Sequence, residues 1–229
     1  MAITYRTSTA GGGSSGTSDR TGSAITPVVN DLFLVYGGTT FTSSPNTSPT
    51  CSDNNGGTYT LIYCVVHNTN DISYLFVRNQ PLPNTTSTTV TVATGSNLSG
   101  EVVTVAFSGA LKYGPRVIRQ WANQAAQASG GTPTPAFSLA ALTGNCTMWG
   151  VANGGAAGSV IVPNASWTER QDVGQTANAI GIEIATRDSG FTGTSVAAGG
   201  TSGSNFSSML VELDGTADVT YGLMLLGVT

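Results

Sequence analysis

The chain has 229 residues, of which only 9% are charged, and it carries a net charge of −4 with 39% hydrophobic residues and 30 glycines. An ordinary soluble domain has about 25% charged residues; here Gly, Ser, Thr and Asn stand in their place. The composition excludes a disordered chain, which would lack the apolar residues to build a core. It also excludes a basic nucleic-acid footprint: Lys112 is the only lysine, and the arginines are scattered, with Lys112, Arg116 and Arg119 the tightest group.

Residues 2–7 (AITYRT) alternate like a short strand, and the following STAGGGSSGTSDRTGS reads as a flexible linker. Two regions are therefore expected: an N-terminal arm and linker over 1–24, and a β-sandwich domain over 25–229. The first sixteen residues lack the basic-then-apolar order of a secretory leader, so the expectation is synthesis in a cytoplasm. No apolar run reaches the length of about 18 residues that a membrane span needs.

Strand signals then recur at short intervals, bounded by Gly, Asn, Pro or Ser. They fall at 31–36, 58–67, 72–78, 87–94, 101–107, 136–142, 146–152, 158–162, 166–171, 179–186, 191–197, 207–213 and 219–228. Only 117–128 (VIRQWANQAAQA) has the Ala/Gln character of a short helix. The pattern predicts an all-β fold, an antiparallel two-sheet sandwich with a flexible N-terminal arm. Ile180, Ile182 and Ile184 oppose Gly181, Glu183 and Ala185, so one face of that strand reads as dry and the other as wet or lightly covered. In 58–67, Tyr59, Leu61, Tyr63 and Val65 oppose Ile62, Cys64 and Val66, which predicts a central strand with Cys64 as core filler.

Candidate chemistry is sparse. His67 is the only histidine; no GxSxG elbow accompanies it, and it reads as a surface turn residue at a strand end. Cys64-x-x-His67 has the spacing of half a zinc site, but no second half follows. The three cysteines, Cys51, Cys64 and Cys146, read as reduced and buried, with a Cys51–Cys64 bridge open under oxidising conditions. Glu169 and Glu183, followed by Asp172 and Asp188, are the nearest approach to a glycosidase pair, and solvent-facing gatekeeping is the simpler reading. The GGGSSG run lacks the GK[ST] ending that cradles phosphate. Trp121, Trp149 and Trp167, with Tyr59, Tyr63, Tyr74 and Tyr113, offer either core or a sugar-stacking platform. Sequons at Asn46, Asn84, Asn97, Asn145, Asn164 and Asn205 are what an Asn/Ser/Thr-rich chain produces by chance.

Several segments together carry a resemblance. NDLFLVYGG, then DNNGGTYTLIYCVV, ISYLFVRN and TTVTVATG, then WTERQD, AIGIEIAT, GFTGTSVAAG and SSMLVELDG, span most of residues 25–215. This order resembles a loosely defined group of jelly-roll-like β-sandwich proteins frequent among virion proteins of tailed bacteriophages and in bacterial surface proteins. Departures are Gly57 where Asn is usual, the helical-looking insert near Trp121, and the extra tail strand. The resemblance implies a non-enzymatic capsid decoration protein located in the virion and assembled in the host cytoplasm. Its partners would be the major capsid protein and neighbouring copies of itself as a homo-oligomer, with no cofactor, nucleic acid or membrane. On that reading Ile3, Thr4, Tyr5 and Arg6 of the arm are the partner-binding residues, adding a strand to a partner's sheet. The alternative is a carbohydrate- or receptor-binding sandwich of a phage tail or a bacterial surface protein.

Overall fold

A computed structural model describes residues 2–13, 19–83, 85–95, 99–154, 166–175 and 180–216. The fold is all-β and antiparallel. In chain order the strands are β1 (Thr4–Gly13), β2 (Asp19–Thr21), β3 (Leu32–Thr40), β4 (Thr50–Asp53), β5 (Tyr59–Asn68), β6 (Asp71–Arg78), β7 (Val90–Ala93) and β8 (Ser99–Ser108). A 3₁₀ turn at Gly114–Val117 leads to β9 (Ile118–Gln127), β10 (Cys146–Asn153), β11 (Thr168–Gln175), β12 (Ile180–Arg187) and β13 (Phe206–Leu213). They form two five-stranded sheets, β1-β8-β3-β6-β5 and β11-β12-β10-β13-β9, and a three-stranded sheet, β2-β7-β4. Among the described residues no helix is long and apolar enough to cross a membrane.

Both large sheets are covered on both faces. Leu32, Leu34, Tyr36, Val103 and Val105 of the first meet Met148, Ile182, Ile184, Met209 and Val211 of the second in a central core. On the other face of the first sheet, Phe33, Val35, Tyr74 and Phe76 pack under Val90 and Val92 of the small sheet. The outer face of the second sheet is covered too: Trp149, Val151, Ala185 and Leu210 lie beneath Phe137, Trp167, Phe191 and Val196 from loops. This two-sided cover explains why LFLVY of β3 and YLFV (residues 74–77) of β6 are apolar without a break, since each fully buried large side chain contributes roughly 1.5–3 kcal/mol.

The structure corrects several expectations. Residues 4–13 are not a free arm with a linker, because β1 pairs with β8 from Thr4–Ser108 to Gly13–Gly100. The glycines permit that approach: a Cβ at Gly12 would sit 2.1 Å from the Gly100 carbonyl oxygen. Asp19–Thr21 pairs with β7, so the expected boundary near residue 24 falls inside the fold.

Residues 118–127 form an edge strand on β13 rather than a helix. Tertiary pairing overrides the helical propensity of Ala and Gln. Segments 136–142 and 191–197 are cover loops joined by one isolated bridge, Ala136–Ser195. The expected strands 158–162 and 219–228 lie outside the described residues.

β5 is an edge strand, not a central one. A bulge at Ile62 swaps its faces, so Tyr59, Leu61, Cys64 and Val66 pack on the outer core while Tyr63 and Val65 meet the central one.

Candidate functional site

The sandwich has two seams where edge strands of the large sheets meet. At the first, β1 lies against β11. Gln171 Nε2 donates to Ser8 Oγ at 2.9 Å, the Tyr5 amide donates to Asp188 Oδ1 at 2.8 Å, and the Arg170 guanidinium stands 3.8 Å over the Tyr5 ring. The four residues expected to bind a partner are all used here. Ile3 is in the central core at 1% exposure, and Thr4 Oγ1 lies 3.1 Å from Ser108 Oγ. Arg6 donates from Nε to Asp31 Oδ2 at 2.7 Å and reaches the Thr26 carbonyl. Their side chains close the molecule on itself, so the arm reading is overturned.

The second seam is open. Edge strands β5 and β9 border a groove of about 380 Å³ lined by Ile62, Pro115, Ile118, Arg119, Gln120 and Trp121. Trp121 is 43% exposed and stacks on Tyr63 with ring centroids 5.5 Å apart and planes 18° from parallel. Trp149 and Trp167 are both buried. The polar wall is held from behind by Glu212, which is fully buried. Glu212 Oε2 accepts from Arg119 at 2.5 Å and from Gln120 at 2.6 Å, while Oε1 accepts from the Leu142 amide and from Asn145 Nδ2. Arg119 is the only charged residue of β9 (IRQWANQAAQ), and it is already paired. Reading this segment as a helix hid both the edge and the exposure of its tryptophan.

His67 departs most from its sequence reading. It is 2% exposed, at a bulge where the end of β5 faces β13. Its Nδ1 lies 3.5 Å from Ser207 Oγ, which is 2.6 Å from Ser73 Oγ, and the Tyr36 hydroxyl lies near both serines. Nε2 has no hydrogen-bond partner. Burial lowers the imidazole to about 4, against the opposing field of Asp71. Ser207, His67 and Asp71 are the residue types of an acyl-transfer triad in the wrong arrangement. A triad turns Nε2 to the serine and Nδ1 to the carboxylate, and its serine faces substrate; here Nδ1 faces a fully buried serine.

The carboxylates gather only in part. Asp172 lies opposite Glu183 and Glu169 opposite Ala185, whereas Asp188 is drawn away to Tyr5. Burial, then Glu169 and Asp172, push the Glu183 carboxyl up to about 8. At 1% exposure it flanks no open cleft, as a glycosidase carboxylate must. Among the described residues no group of three or more His, Cys, Asp or Glu side chains could hold a metal ion. The three thiols are free; burial pushes Cys64 up to about 11, and Cys64 faces the outer core while His67 faces β13.

The turn before β5 is built around Asp53. Its Oδ1 accepts from the Asn55 and Gly57 amides, and its Oδ2 from Tyr59 Oη and Arg78 Nε, both at 2.9 Å. Burial works to raise this carboxyl, but the Gly57 amide, Arg78 and Tyr59 together hold it below its ordinary value. A Cβ at Gly57 would stand 2.1 Å from Asp53 Oδ2, which accounts for glycine at the position where the resembled pattern has Asn.

Comparisons with family models, with curated proteins and with solved structures each return no match for this chain.

Proposed function

We propose that this chain is a non-enzymatic structural protein of a bacteriophage virion, of capsid decoration type, whose open β5–β9 seam packs against neighbouring copies on the capsid surface. The observation that carries the reading is the edge itself. β9 is ten residues long, carries one charge that is paired with buried Glu212, and presents a half-exposed tryptophan. Soluble monomers blunt such edges with exposed charge or proline; an edge left neutral suits a protein that works packed against others.

The strand winding supports the same reading. Strands β1-β8-β3-β6-β5 pack under β2-β7-β4, so the first half of the chain alternates largely between two layers, as the jelly-roll-like resemblance expects. Weak single contacts then suffice, because a repeating capsid lattice supplies avidity. The test is copurification of the protein with particles. Hundreds of copies per particle support the reading, and Trp121→Asp should lower occupancy while the isolated protein keeps its far-ultraviolet circular dichroism. Absence from particles, or occupancy unchanged by the substitution, overturns it.

The exposed face of Trp121 favours one second reading, a carbohydrate-binding sandwich of a tail or surface protein. A glycan array on which the native chain binds and Trp121→Ala does not would select it.

A further inference from the structure

We propose that the β5–β9 groove receives residues 219–228 of a second copy of this chain. The inference rests on the reading above only in supposing that copies lie side by side. Residues 217–229 read ADVTYGLMLLGVT, with no charge after Asp218 and with Val219, Tyr221, Leu223, Met224, Leu225, Leu226 and Val228 apolar. A run of this kind must be covered.

The described chain stops beside the groove. The Asp214 amide donates to the Val117 carbonyl at 2.8 Å, and Lys112 Nζ donates to Asp214 Oδ2 at 2.9 Å. Asp214 therefore lies beside Val117, one residue before the groove wall at Ile118. The groove offers what the run lacks: apolar walls at Ile62, Pro115, Ile118 and Trp121, and two strands that end their sheets among the described residues. Its one charge is already satisfied by Glu212, so covering it strands no charge.

Direction selects a second copy. Ile118 lies opposite Leu213 and Gln127 opposite Phe206, so a segment turning back from Thr216 along its own β9 would run parallel to it. It would run parallel to β5 as well, because Tyr63 sits beside Trp121 and His67 beside Ser207. All the strand pairs described are antiparallel. A segment from another copy can enter antiparallel, and its reciprocal placement closes the assembly.

The experiment is the mass of the full chain in solution by light scattering across a dilution series, beside full-length Leu225→Asp and Trp121→Asp. The native chain should run as a multiple of its 23.2 kDa mass, and each variant as a monomer with unchanged circular dichroism. A monomeric native chain overturns the proposal, and so does an oligomer that survives Leu225→Asp. Loss with Leu225→Asp but not with Trp121→Asp places the segment elsewhere and also overturns it. Should Trp121→Asp fail to fold, Ile62→Asp tests the same wall. Because the measurement needs no particle, failure here leaves the particle-binding test standing on its own.

Discussion

Acidification from pH 7 should cost this protein stability at His67. His67 is the only histidine, so its contribution can be isolated by comparing the native chain with His67→Phe. In the unfolded chain the imidazole titrates at 6.5, and in the fold burial lowers it to about 4. Between those values the unfolded state binds the extra proton, so stability is full above the unfolded pKa and falls as the pH drops toward 4. At about 1.4 kcal/mol per pKa unit the full effect is about 3 kcal/mol, of which about 2 is lost between pH 7 and pH 4.5. Glu183 acts in the opposite sense: its raised pKa, about 8, gives stability that is full below the unfolded value and is lost as pH rises through 8. The difference between the two proteins is therefore the quantity to read. Urea unfolding at pH 7, 5.5 and 4.5 should show the native chain losing about 2 kcal/mol more than His67→Phe. The single histidine proton resonance should titrate near pH 4. Parallel stability curves, or a resonance titrating near 6.5, would refute the buried, neutral imidazole.

Two further outcomes test the fold where the sequence misleads. Asp53→Ala leaves Arg78 buried without its carboxylate and removes the acceptor for Tyr59 and the Gly57 amide. Urea unfolding should register a loss of about 3–5 kcal/mol, and a loss under about 1 would mean the pair is not sealed from water. Gly12→Ala forces a methyl group against the Gly100 carbonyl and should cost about 1–3 kcal/mol, read as a lower melting temperature. An unchanged melting temperature would return residues 8–13 to the status of a linker.

The strands that were legible in sequence are those buried on both faces. DLFLVY, ISYLFVR, EVVTVAF, CTMWGVA and SSMLVEL signal themselves by β-branched and aromatic content, because most of their side chains on both faces are buried in apolar cores. What failed were the places where a local signal has two physical causes. A glycine run denotes a flexible linker or a close backbone approach, and only the register of Gly12 against Gly100 decides. Apolar runs such as FTGTSVA denote a strand or a lid; here Phe191 and Val196 cap the second sheet without joining it. The alternation of 58–67 was sound up to Ile62, where one bulged residue reversed every assignment after it. His67 follows from the same failure, since its burial against Ser207 depends on a partner strand 140 residues away.

The scarcity of charge is greater at the surface than in the composition. Arg78–Asp53, Arg119–Glu212 and Arg6–Asp31 each place at least one carboxylate at 0–1% side-chain exposure, and Lys112–Asp214 ties down the described C-terminal end. Each pair fixes a turn or an edge from within and removes a charge that could have repelled a neighbour. At the β1–β11 seam the remaining polar groups bond across the gap, and that edge is closed. At the β5–β9 seam the arginine of β9 is tied to buried Glu212, and the exposed contact is a tryptophan on a tyrosine. Repulsion is therefore missing at the edge that is also sterically open. An exposed, unpaired charge keeps such an edge single, and the arginine of β9 is instead paired with buried Glu212. That placement argues that contact at this seam is what the edge is built for.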